Sequence, residues 1–217
     1  MTSIDLYYTL RSPYCYLAAM QLSALVRDYV LAVQLKPVYP LAISEPLFFK
    51  NANPLLSAYI RHDSARIARR LGIPFARPRP DPVVQDMQTL AVAAEQPYIR
   101  RLTHLAQLAA EKNRGLEFVT QVSALLYNPD VSDWHLGDHL AQAVARCGLD
   151  LADLDQQALA QADRLEAAVL ANRRAQLAAG HWGAPLFVTT DGEIFFGQDR
   201  MDDLLWHLQR QGLARRA

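Results

Sequence analysis

Residues 4–26 read IDLYYTLRSPYCYLAAMQLSALV, and the fold turns on how this run divides. Ile4 to Leu10 is a short apolar stretch with two tyrosines, of the length and composition of a buried strand. Arg11-Ser12-Pro13-Tyr14 breaks it. From Pro13 to Tyr29 apolar residues recur at helical spacing (Leu17, Met20, Leu22, Leu25, Val26, Tyr29), and LAVQLKPVYP at 31–40 follows as a second strand ended by prolines. The first 40 residues therefore predict β-α-β, with the polar SPYC turn (12–15) at a helix N-terminus.

Between about Ser44 and Ala179 no convincing strand is found: the segment is rich in Ala, Leu, Arg and Gln and is punctuated by turn signals such as NANP (51–54), LGIPFARPRPDP (71–82) and YNPD (127–130). It reads as a helical block. Its arginines at 61, 66, 69 and 70 fit a solvated helix face. After Gly180 the character changes again: APLFVTT and EIFFG predict two strands joined at Thr190-Asp191-Gly192, and QDRMDDLLWHLQRQG predicts a closing amphipathic helix. The order is β-α-β, helices, β-β-α.

The chain has 217 residues, 51% of them hydrophobic, enough to bury a sizeable core in one large domain or two joined ones. Lys plus Arg and Asp plus Glu are 22 each, so no net field draws the protein to nucleic acid or to an anionic membrane surface. The beginning, MTSIDLYYTL, lacks the basic and apolar regions of a leader, and no window reaches the roughly 18 apolar residues of a membrane span. Cys15 and Cys147 are the two cysteines, too few for a secreted disulfide framework. A cytoplasmic protein is expected. His135 and His139 are four apart, but HLGDH lacks the glutamate of H-E-x-x-H and no third ligand is evident, so no metal is expected. A Ser-His-Asp hydrolase is disfavoured because no G-x-S-x-G elbow occurs.

Ser12 and Pro13 need no function: Ser is a preferred N-cap and Pro is favoured at the first helical position. The same turn nonetheless has free N–H groups and the positive end of the helix dipole, which suit an anion such as a thiolate. A serine hydroxyl there can also donate to that sulfur.

Three stretches in this order, SPY at 12–14, YIRHDSARIARRLGIPF at 59–75, and GAP (183–185) followed by FFGQDR (195–200), make the chain resemble the DsbA-like branch of the thioredoxin superfamily. Within that branch it is similar to the 2-hydroxychromene-2-carboxylate isomerases and the kappa-class glutathione transferases. The resemblance implies an α/β fold: a thioredoxin-like domain (1–43 and 180–217) interrupted by a long all-helical insertion (44–179). It implies glutathione as cofactor, with Ser12 the catalytic residue holding its sulfur as thiolate, beside Pro13 and Tyr14. Pro185 would be the cis-proline of thioredoxin folds, presenting the backbone of Ala184 to the peptide part of glutathione. Phe196, Gly197, Gln198 and Asp199 match the segment that binds the γ-glutamyl end, although Gln198 and Asp199 also sit where a final helix would be capped. The family places an asparagine at the start of the insertion, where the aromatic substrate lies; Asn51 and Asn53 both qualify.

The resemblance thus implies a glutathione-dependent isomerase of aromatic compounds. A kappa-like transferase shares the sulfur site, and a redox or thiol-sensing protein acting through Cys15 is a third reading. Homodimers are common in the family. Cys15 holds the second position of the C-x-x-C of disulfide oxidoreductases while Ser12 holds the first, so dithiol oxidase activity is expected to be absent. Three residues into the helix, Cys15 is expected to face the core.

Overall fold

The computed structural model describes residues 2–86 and 88–216. Met1, Met87 and Ala217 lie outside them. Strand β1 (Thr2–Tyr8), helix α1 (Pro13–Asp28) and strand β2 (Leu31–Pro37) come first, as the opening run predicts. Eight helices follow: α2 (Leu41–Ser44), α3 (Phe48–Asn51), α4 (Leu55–Leu71), α5 (Pro97–Glu111), α6 (Gly115–Leu126), α7 (His139–Ala145), α8 (Leu151–Ala160) and α9 (Ala162–Ala178). Strands β3 (Leu186–Thr189) and β4 (Ile194–Phe196) then lead through a single 3-10 turn, Gln198–Arg200, into α10 (Met201–Arg210).

The strands form one mixed sheet in the order β2-β1-β3-β4, with β1 parallel to β2 and antiparallel to β3, and β3 antiparallel to β4. The apolar face of α1, from Cys15 to Ala19 and at Leu22, is buried. Burying a leucine such as Leu17 or Leu22 contributes about 2 kcal/mol relative to leaving it in water. The helical segment contacts this layer directly, α6 against α1 and both α5 and α6 against β2. A buried hydrogen bond of 2.7 Å between Tyr8 Oη and Ser123 Oγ joins β1 to α6. Where the segment leaves and rejoins the sheet, Asn172 of α9 donates from one Nδ2 to the carbonyl of Pro37 and to Gln107 Oε1, at 3.0 Å each.

Several boundaries differ from the sequence reading, for identifiable reasons. Leu10, Val38 and Tyr39 are buried but lie beyond the last paired residues of β1 and β2, because apolarity reports burial rather than pairing. The block after α4 is not helical throughout: residues 73–86 and 88–96 run irregularly from Gly72, which ends α4 at φ 65°, to Pro97, with one isolated bridge among the described residues, Gln85 to Val92. The last helix begins at Met201 rather than Gln198. The arginines at 61, 66, 69 and 70 are exposed, as a solvated face requires.

Candidate functional site

The register of the sheet brings the two ends of the site together. Tyr7 of β1 pairs with Leu186, the first residue of β3, so Pro185 lies level with the point where β1 gives way to the loop 9–12 and then to α1. Ala184–Pro185 is a cis peptide bond, as the resemblance implies. Leu186 pairs with Phe196, and the N–H of Gly197 donates to the carbonyl of Pro185 at 3.0 Å, which sets the 196–199 turn beside the proline loop.

Ser12 caps α1 from extended backbone (φ −77°, ψ 124°), and its Oγ accepts from the Cys15 N–H at 3.3 Å. Pro13 occupies the first helical turn and has no N–H, while the N–H of Tyr14 has no acceptor among the described residues. The turn thus carries a half-buried hydroxyl beside a free donor at the positive end of a four-turn helix. The helical segment anchors the loop before it. Tyr127 Oη donates to the Arg11 carbonyl at 2.5 Å, and the Arg11 guanidinium makes two bonds to Asp81 at 2.9 and 3.1 Å.

Cys15 faces inward and is 0% exposed. Burial pushes its thiol up to about 12, against the opposing hydrogen bonds of the Thr9 backbone and the Ser12 side chain. At neutral pH it is a protonated, shielded thiol. We therefore expect no labelling of Cys15 by a thiol reagent in the folded protein at pH 7–8, and rapid labelling once denaturant opens the core, as mass spectrometry of the 15-containing peptide would record. Because the folded value lies above the unfolded one, the stability tied to keeping this thiol neutral is complete below about pH 9 and declines as pH rises toward 12.

Tyr14 Oη donates to Asp63 Oδ2 of α4 at 2.8 Å. Burial, then the Asp63 carboxylate, raises its phenol well above the ordinary range, with a smaller contribution from Asp199 across the site. Gln198 is 4% exposed, and Gln21 of α1 donates to its Oε1 at 3.1 Å and to its carbonyl at 3.2 Å. Its side chain is therefore a strut between α1 and the turn. Asp199 is exposed and paired with Arg200 at 2.7 Å. Neither caps α10, whose N-cap position is Arg200 with no side-chain bond. Gly197 sits at φ +106°, and a Cβ there would meet Asp199 Oδ1 at 2.5 Å.

Beside the proline loop lies an aromatic shelf. Trp182 and Phe196 are 44% and 42% exposed, His181 stacks on Phe196 with ring centres 4.0 Å apart, and Phe48 approaches Trp182 at 5.2 Å. Phe196 also lies so close over Gly183 that a Cβ there would be 2.4 Å from its ring. The shelf continues into an open cleft of about 530 Å³ lined by Glu45, Pro46, Leu47, Phe48, Asn51 and Ala52. The two asparagines separate here: Asn51 lines the cleft, whereas Asn53 Oδ1 accepts from the Leu55 N–H at 2.9 Å and opens α4.

Other groups near the site carry no sequence signal of their own. Asp63, Gln21, Arg173 and Gln176 sit in helices whose polar residues read as solvent-facing until the fold shows otherwise. Among the described residues no three His, Cys, Asp or Glu side chains gather as a metal site requires, and no helix is long and apolar enough to cross a membrane.

A family model of the DSBA-like thioredoxin domain matches residues 3–209. No curated protein matches the chain significantly. Among solved structures, a 2-hydroxychromene-2-carboxylate isomerase is similar with a TM-score of 0.71 at 20% identity, covering 96% of this chain and 95% of its own. The cytosolic disulfide reductase DsbM from Pseudomonas aeruginosa is similar with a TM-score of 0.64 at 22% identity (96% and 98% covered), and its structure with glutathione gives 0.63 at 19% over the same shares. At these identities the likeness speaks to the fold. With a match that spans nearly its whole length, the chain belongs to the DsbA-like thioredoxin family.

Proposed function

We propose that the protein is a cytoplasmic, glutathione-dependent isomerase of conjugated aromatic acids of the 2-hydroxychromene-2-carboxylate type. One observation carries this reading: the first turn of α1 presents a hydroxyl at position 12, while its thiol, Cys15, is buried and protonated. The accessible part of the turn is built to hold a sulfur anion and offers none of its own.

The groups present fit glutathione. The backbone N–H and C=O of Ala184 make no hydrogen bond to any described residue, leaving a donor and an acceptor for an extended peptide. Ser12 and the Tyr14 N–H would hold the sulfur, and the Asp199 carboxylate would receive the γ-glutamyl ammonium by exchanging its exposed pairing with Arg200. Bound there, glutathione supplies a thiolate able to add reversibly to an electron-poor double bond. The chain itself binds and orients: Phe48, Trp182 and Phe196 offer flat apolar surface to an aromatic ring, and the Asn51 carboxamide lies in the adjoining cleft for its polar substituents.

A conjugating transferase would use the same sulfur site, and the count of glutathione separates the two. With a chromene-type substrate in large excess over glutathione, we expect many turnovers while total glutathione stays constant. Stoichiometric loss of glutathione would assign a transferase instead.

A further inference from the structure

We propose that Gln176 is a positioning residue that aims the Ala184 N–H outward; the inference rests on the reading of Ala184 as the backbone partner of glutathione. Helix α9 is Ala-rich and only lightly buried: Leu165, Val169 and Gln176 are its buried residues, and Gln176 is 0% exposed. A carboxamide in that slot costs free energy unless both its ends are paired. Both are. Its Oε1 accepts from Arg173 Nη1 at 2.9 Å, and its Nε2 donates to the Gly183 carbonyl at 2.7 Å.

That carbonyl belongs to the same peptide unit as the Ala184 N–H. The Gly183–Ala184 bond is not among the cis bonds, so its C=O and N–H point in opposite directions across a rigid plane. Drawing the oxygen onto α9 turns the N–H away from α9. Neighbouring groups fix the residue that carries this carbonyl: the Gly183 N–H donates to His181 Nδ1 at 2.9 Å, and the Phe196 ring fills the place where a Gly183 Cβ would project. Arg173 extends the anchorage by donating to the Trp182 carbonyl at 2.6 Å and pairing with Glu45 at the edge of the aromatic cleft. Two successive carbonyls, 182 and 183, are thus tied to the last helix of the helical segment. The next N–H, that of Ala184, is left without a protein acceptor.

Calorimetric titration with glutathione, steady-state kinetics and amide chemical shifts of wild type and Gln176→Leu test this. Gln176→Leu is expected to weaken glutathione binding roughly tenfold, raising KM for glutathione by a similar factor while kcat at saturating glutathione stays within about twofold. Its Ala184 amide should shift more than those of β3. Equal glutathione affinity in the two folded proteins overturns the positioning role. If wild type binds no glutathione, the reading of the site in the preceding subsection falls; the positioning role is then decided by the Ala184 amide, and an unchanged resonance overturns it. Gln176→Glu, which keeps an acceptor for Arg173 and removes the donor to Gly183, takes the place of Gln176→Leu if the latter does not fold, with the same expected outcomes.

Discussion

Replacing Ser12 by alanine is expected to lower kcat/KM for glutathione-dependent isomerisation by about one to two orders of magnitude. A hydrogen bond to a charged group is worth about 1.5–3 kcal/mol, and each 1.4 kcal/mol is a factor of ten. The Ser12 hydroxyl would be the one side-chain donor on this turn for the bound sulfur; the Tyr14 N–H and the helix terminus remain in the variant, so activity should fall without vanishing. The pH profile gives a second signature. Losing a donor to the thiolate raises the pKa of the bound thiol, so the rise of rate with pH must move to higher pH, and the defect should shrink as pH increases. Removing the N-cap also costs about 1 kcal/mol of stability, so rates should be compared well below the melting temperature. Unchanged kcat/KM with an unmoved pH profile, glutathione saturating, would remove Ser12 from the chemistry.

The converse substitution should create an activity rather than destroy one. Ser12→Cys restores the C-x-x-C spacing with Cys15, and a thiol at the N-cap of α1 has its pKa lowered by the helix terminus. Ser12 Oγ lies 3.3 Å from the backbone nitrogen of Cys15, one helical turn on, so a sulfur at position 12 would have a resolving partner at hand. We expect the variant to reduce an added protein disulfide such as that of insulin, the target gaining two thiols as the variant's pair is oxidised to one disulfide, with dithiothreitol closing the cycle. Wild type should show no turnover above background. With dithiothreitol left out, combining Ser12→Cys with Cys15→Ala should stop the exchange at a mixed disulfide with the target, one target thiol being released, visible by mass spectrometry. A folded Ser12→Cys protein that does not reduce insulin, together with a folded double variant that forms no adduct, would show that position 12 is closed to outside disulfides, against the site described above.

Much of this fold is legible because its elements carry different periods. The change from the compact apolar run at Ile4 to helical spacing at Leu17 and Leu22, and back to short runs at 186–189 and 194–196, marks β1, α1, β3 and β4 without any knowledge of contacts. Ser12 and Pro13 announce the start of α1 by local chemistry, and that cap is present. The path of residues 73–86 and 88–96 is not legible, since it is held by individual bonds, such as those of Gln96 to the backbone of Val84, rather than by a repeating pattern. Gln198 illustrates the same gap at the site. Beside a helix start it reads as a cap, yet its carboxamide meets Gln21, 177 positions earlier, a pairing that only the tertiary fold creates. Gln176 is hidden for the same reason, as a polar residue in an Ala-rich helix reads as solvent-facing.

The Asn172 clasp has a consequence for how such proteins diversify. Through one carboxamide it holds the point where the chain departs from β2, at Pro37, to the helix by which it returns. With the two ends already fastened, the cost of lengthening or shortening what lies between grows only with the logarithm of loop length. Insertions beside the cleft that Glu45 to Ala52 line could therefore accumulate over evolutionary time, reshaping the surface offered to a new substrate, while the strand order beneath and the turn at Ser12 stay as they are.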